Sequence, residues 1–112
     1  MILGFLGIGK ISSSVITGIC RSKLKYKKII LSPRNRNLSK FLKAKFKKIE
    51  IAKNNQDLID KSNWVFLAVT PEVGRKIIKN LKFYPKQTIV SFISTISLSD
   101  LKKMTQTKAS IV

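Results

Sequence analysis

At 112 residues and 44% hydrophobic side chains, the chain has the size of one domain and enough apolar content to bury a core. It has one cysteine, Cys20, no histidine and only five scattered carboxylates, Glu50, Asp57, Asp60, Glu72 and Asp100. That argues against a disulfide framework, a metal cluster or an acid/base pair, so any chemistry must come largely from a bound cofactor. The net charge of +18 is mostly lysine spread over every segment. This favours a solvated basic exterior over specific nucleic-acid recognition, although low-salt attraction to polyanions follows in either case. No stretch approaches the ~20 apolar residues of a membrane span. The apolar N-terminus lacks a basic leader and is interrupted by Lys10, which argues against a signal peptide; a reducing, cytoplasmic location is expected.

Ile2–Leu6 reads as a first strand, apolar throughout and therefore central. It runs into Gly7-x-Gly9-x-x-Ser12 and then at once into a helical pattern, with Ile11, Val15, Ile16 and Ile19 on one flank and Cys20 packing beside them. A strand, a glycine turn and a helix in that order build a dinucleotide-binding turn. Gly7 allows the tight bend, Gly9 lets backbone approach a pyrophosphate, and Ser12 stands where a third glycine would let helix and strand pack closely. Free N–H groups and the helix dipole then face the phosphates.

Lys28–Leu31 is a second strand, ending in the polar loop Ser32-Pro33-Arg34-Asn35-Arg36-Asn37. Asn37 can cap the next helix, whose apolar face is Leu38, Phe41, Leu42 and Phe46. Ile49–Ile51 is a third strand, short enough for a sheet edge, and Asn54-Asn55 opens a short helix through Leu58 and Ile59. Trp64–Val69 is the strongest strand signal, stopped by Thr70-Pro71, with Pro71 suited to a first helical turn. Val73, Ile77, Ile78 and Leu81 carry that helix. Thr88–Ile93 is a fifth strand, Ser97-x-x-Asp100 starts a helix bearing Leu98, Leu101 and Met104, and Ala109–Val112 opens one more strand.

Strands separated by helical crossovers imply a Rossmann-type, doubly wound parallel sheet, a three-layer α/β/α single domain over residues 1–112. Its ligand site lies at the carboxyl ends of the strands, where strand order switches. Three loops then matter: Gly7–Ser12, Ser32–Asn37 and Ala68–Glu72. An NAD-selective site places Asp or Glu at the end of the second strand, about 20 residues after the glycine turn. Here Ser32 stands there, with no carboxylate before Glu50 and with Arg34 and Arg36 nearby. That pattern predicts preference for a 2′-phosphate, with Arg34 contributing more than Arg36.

Gly4-Phe5-Leu6-Gly7-Ile8-Gly9, Ser32-Pro33-Arg34-Asn35, Asn55-Gln56-Asp57-Leu58 and Trp64-Val65-Phe66-Leu67-Ala68-Val69-Thr70-Pro71-Glu72 resemble the N-terminal cofactor domain of pyrroline-5-carboxylate reductase. Ile89–Ser94 and Ile96-Ser97-Leu98 extend the resemblance over nearly the whole chain. It implies reduction of a small cyclic imine, 1-pyrroline-5-carboxylate, to proline by hydride from NADPH. Gly9, Lys10, Ile11 and Ser12 would meet the pyrophosphate, and Ser32, Arg34 and Asn35 the 2′-phosphate. Asn55 would meet the adenosine side, and Ala68, Val69, Thr70 and Pro71 would flank the nicotinamide. The family's helical domain, which forms a homo-oligomer and supplies most of the substrate site, is not within these 112 residues, so the chain alone is expected not to turn over. Two alternatives stay open: another NADP-dependent oxidoreductase with a similar N-terminal domain, or a non-catalytic module binding nucleotides or nucleic acid.

Overall fold

The computed structural model describes residues 1–33 and 36–112. Six parallel strands, β1 (Ile2–Leu6), β2 (Lys28–Leu31), β3 (Ile49–Ile51), β4 (Trp64–Leu67), β5 (Thr88–Ser91) and β6 (Ser110–Ile111), lie in the order β3-β2-β1-β4-β5-β6. Helices α1 (Lys10–Arg21), α2 (Arg36–Lys45), α3 (Asn55–Lys61), α4 (Pro71–Ile77) and α5 (Leu98–Thr105) make the crossovers, α4 running on into a 3-10 turn at Ile78–Asn80. This is the Rossmann-type order. The chain winds outward from β1 through β2 to β3, then crosses back to β4 on the other side of β1, so α1 and α2 share one face and α3, α4 and α5 the other.

Two apolar clusters, one per face, account for the continuous hydrophobic character of the central strands. On one face Leu3, Phe5, Ile29 and Leu31 of the sheet bury Ile16 of α1 and Leu42 of α2. Phe5 and Phe66 stack there with ring centres 4.4 Å apart and planes within 4°. On the other, Leu6, Ile30, Val65, Leu67 and Ile89 meet Leu58, Ile59, Ile78 and Leu101. Gly4 faces that second layer. A β-carbon on it would run into the Ser62 hydroxyl and would lie 2.7 Å from Leu58, so α3 seats on β1 only because residue 4 has no side chain. The Ser62 hydroxyl itself donates to the Leu58 carbonyl at 2.6 Å.

Helix starts follow the capping chemistry read from the sequence. Asn54 accepts from the Asp57 amide at 2.8 Å, Thr70 from Val73 at 3.3 Å and Ser97 from Asp100 at 3.1 Å, and Pro71 occupies the first turn of α4. Several expectations are corrected. Asn37 is not a cap, because α2 already begins at Arg36. Phe41 is 59% exposed and Ile11 68% exposed; the buried positions beside them are Ser39 with Leu42, and Ser12 with Ile16. Leu98 is likewise exposed, in the first turn of α5. Strands β4 and β5 end two residues earlier than their apolar runs; Ala68 and Phe92 still donate to the Leu6 and Leu67 carbonyls of the neighbouring strands, but the ladders go no further.

No helix among the described residues is long and apolar enough to cross a membrane, and no group of three or more Cys, Asp or Glu among them could hold a metal ion.

Candidate functional site

The switch in strand order, between β1 and β4, opens a cleft of about 640 Å³ above the carboxyl ends of the strands. Gly7, Ile8 and Gly9 form one wall, Ala68, Val69, Thr70 and Val73 another, and Arg36 and Asn37 a third.

The two glycines do different work. Gly7 has φ +92°, in the left-handed region, and a β-carbon there would sit 2.7 Å from Val69 Cγ1 and 2.8 Å from the Val69 amide nitrogen. It is therefore glycine for the bend and for contact with the loop after β4. Gly9 is extended, at φ −143° and ψ −163°, a conformation open to any residue, and a β-carbon on it would meet nothing within 4 Å. Its bareness leaves room on the cleft side of the backbone, as close approach of a phosphate requires.

Ser12, 1% exposed, replaces a third glycine with a bond. Its hydroxyl accepts the Gly9 amide proton at 2.8 Å, closing the turn on the first helical residues. The first intrahelical bond of α1 runs from the Ser13 amide to the Gly9 carbonyl at 2.9 Å, so the amides of Lys10, Ile11 and Ser12 have no partner within the helix. The first turn carries no acidic residue, and the helix dipole makes it receptive to an anion.

Ser32, at the end of β2, is also 1% exposed. Its hydroxyl accepts from the Gly7 amide at 3.1 Å, and its carbonyl accepts from the buried Ser39 hydroxyl of α2 at 3.2 Å. One serine thus joins the glycine turn, β2 and α2. Arg34 and Asn35, expected at a 2′-phosphate, lie outside the described residues. Arg36, named in the sequence only as a secondary cation, lines the cleft, as do Asn37, Ile8 and Val73. Ile8 lies between the two glycines; Val73 lies in the first turn of α4 and was legible only as a core position.

Lys10 and Ile11 are exposed beside the turn, Pro71 follows the Thr70 cap, and Asn55 is half-buried at the start of α3; none of the four lines the cleft. Arg36 is the one ionisable residue among the described lining residues. The donor set is therefore the Arg36 guanidinium and bare backbone at Gly9 in the cleft, with the free amides of the first turn of α1 directly after Gly9 in the chain. It fits a molecule carrying a diphosphate and a further phosphate.

A family model described as "NADP oxidoreductase coenzyme F420-dependent" matches residues 2–95. The chain is 29% identical over 106 residues to pyrroline-5-carboxylate reductase 3 of Danio rerio, covering 91% of this chain and 36% of that protein. It superposes with a TM-score of 0.76 on 1-pyrroline-5-carboxylate reductase from Streptococcus pyogenes, at 30% identity over 93% of this chain and 38% of the other. A pyrroline carboxylate reductase of Plasmodium falciparum, solved with NADP bound, also gives 0.76, at 19% identity over 94% of this chain and 38% of the other. The chain thus spans a little over a third of the length of these relatives.

Proposed function

The chain belongs to this family of NADP oxidoreductases, and from that premise we propose that it is the NADPH-binding domain of a reductase converting 1-pyrroline-5-carboxylate to proline. The observation that carries the proposal is the contrast between the two glycines at the mouth of α1. One is held in the left-handed region against Val69, and the other is extended with open space where its β-carbon would be.

In this reading the amides of Lys10, Ile11 and Ser12, with the bare backbone at Gly9, receive the diphosphate. Ser12 keeps that turn ordered by holding the Gly9 amide. Arg36, with Arg34, Asn35 and the end of β2 at Ser32, receives the 2′-phosphate. Asn55 takes the adenosine side, and Ala68, Val69, Thr70 and Pro71 the nicotinamide end. The Thr70 hydroxyl holds the start of α4 in place by accepting from Val73, which fixes that wall. When bound, NADPH supplies the hydride that reduces the imine carbon–nitrogen double bond. Residues that orient the imine, and the homo-oligomer in which they are brought together, belong to the rest of a protein of the relatives' length. A lone free cysteine, half-buried in α1, supports a reducing cytoplasmic compartment.

Calorimetric titration of the chain with NADPH and NADH tests the cofactor assignment. Saturable, one-to-one NADPH binding that is tighter than NADH binding is expected, and lost in Gly9→Val. Equal affinity for the two cofactors, or unchanged affinity in Gly9→Val, would overturn it.

A further inference from the structure

The positive charge is polarised between the two helical layers, in a way that composition alone does not reveal. Thirteen of the 23 lysines and arginines precede Glu50, and no carboxylate does. The α1–α2 layer therefore carries no carboxylate, and its cations lie along α2, at the two ends of α1 and in the loops that follow these helices. Every carboxylate lies on β3 or in the α3–α4–α5 layer. Lys28 is the one cation of the first 49 residues in an ion pair among the described residues, with Glu50 at 3.1 Å. Arg21, Lys23, Lys25, Lys27, Lys40, Lys43, Lys45, Lys47 and Lys48 are all exposed. Along α2, Arg36, Lys40 and Lys43 recur at helical spacing on one face and run away from the cleft.

An aromatic ring stands among these charges. Phe41 of α2 is 59% exposed, with Lys45 Nζ 5.8 Å from its ring centre. Core packing does not account for it, since α2 already buries Ser39 and Leu42 and packs Leu38 against the apolar cluster, as does Phe46 just beyond its end.

We propose that the α1–α2 layer binds single-stranded nucleic acid without sequence preference, lysines tracking the phosphates and Phe41 stacking on a base. A cationic surface with an exposed ring is the pairing by which single strands are held. Lysine on flexible stems suits phosphate contact, which carries no sequence information. A membrane surface fits less well. Interfacial helices present a broad apolar face, whereas α2 offers solvent Phe41 alone, and the layer's other exposed large apolar side chains, Ile11 and Leu24, lie at opposite ends of α1.

The test uses fluorescence anisotropy with a labelled oligothymidylate and two triple variants of equal net charge. One is Lys40→Glu, Lys43→Glu, Lys47→Glu on the proposed surface. The other is Lys79→Glu, Lys86→Glu, Lys103→Glu on the opposite side. The first should weaken binding by about tenfold or more and flatten its dependence on salt, and the second by no more than about threefold. Phe41→Ala should weaken it about five- to 150-fold with the salt slope unchanged. Far-UV circular dichroism and NADPH affinity should match the parent in all three. Should the first triple variant fail to fold, the corresponding Lys→Gln triples carry the same comparison. Equal losses in the two triples would overturn the proposal. So would an unaffected Phe41→Ala, equal affinity for a duplex, or phosphatidylserine vesicles bound as tightly with the same dependence on Lys40, Lys43 and Lys47.

Discussion

The amide of Gly7 donates to the hydroxyl of Ser32 across 3.1 Å, linking the turn after β1 to the end of the neighbouring strand β2. The bond lies just beyond the β1–β2 ladder, whose last matched pair is Phe5 with Leu31. It holds the glycine turn against the loop proposed to take the 2′-phosphate. Ser32→Ala leaves the Gly7 amide without its acceptor, which should destabilise the fold by about 1–3 kcal/mol and weaken NADPH binding. Ser32→Asp keeps an acceptor and adds a negative charge, so it should move preference from NADPH toward NADH while lowering the melting temperature at this buried site. Denaturant unfolding and paired calorimetric titrations measure both effects.

Substitutions at the two glycines should separate folding from binding. Gly7→Ala forces a side chain into the left-handed region and against Val69, and should lower stability by about 1–3 kcal/mol or more. A β-carbon at Gly9 meets nothing within 4 Å and the backbone there is extended, so Gly9→Val should keep circular dichroism and melting temperature close to the parent's while NADPH affinity disappears. Thermal melts alongside titrations would show whether the two losses separate in this way.

Arg36 is the one cation among the described residues that line the cleft. Arg36→Ala should weaken NADPH by about 10–150-fold, the ~1.5–3 kcal/mol of a charge-assisted bond, and NADH much less. An equal loss for both cofactors would move Arg36 to the diphosphate instead.

At the far edge of the sheet, a hydrogen bond from Lys28 holds the Glu50 carboxyl below its ordinary range, with Lys61 adding to the attraction. Because the folded-state value is lowered, the pair stabilises the fold above the ordinary glutamate range. That contribution fades as the pH falls through the lowered value. Glu50→Gln should therefore melt slightly below the parent at neutral pH, with the gap closing in acid and shrinking in high salt, as expected of an exposed pair. Melting curves across the acid range decide it.

Much of this architecture can be read from local pattern. Strands β1 and β4 are apolar on both sides because both sides are covered, and Thr70-Pro71 and Ser97-x-x-Asp100 mark helix starts by chemistry confined to four residues. What periodicity could not show was which turn of a helix overhangs the sheet. Ile11 fits the apolar flank of α1 but lies in its first turn, beyond the strand ends, where nothing covers it. Phe41 fits the flank of α2 but sits one position off the face that Ser39 and Leu42 press onto the sheet. The cleft was legible where it is local, at Gly7, Gly9 and Ala68–Thr70. Arg36 and Asn37 belong to the loop singled out after β2, whereas Val73 reaches the cleft only through the placement of α4, and the Gly7–Ser32 bond depends on a strand register that no short motif encodes.

Gly4 has a consequence for how tolerance to substitution would be interpreted. A saturation scan of residues 1–12 scored by cofactor capture would find Gly4 as intolerant as Gly9, although residue 4 faces α3 and is not among those lining the cleft. Even alanine there collides with Ser62 and Leu58, so its failures would surface as insoluble or degraded protein. Those at Gly9 would accumulate as folded but empty chains. A scan scored for both abundance and capture would place the two glycines in opposite quadrants, distinguishing a joint between layers from a binding surface.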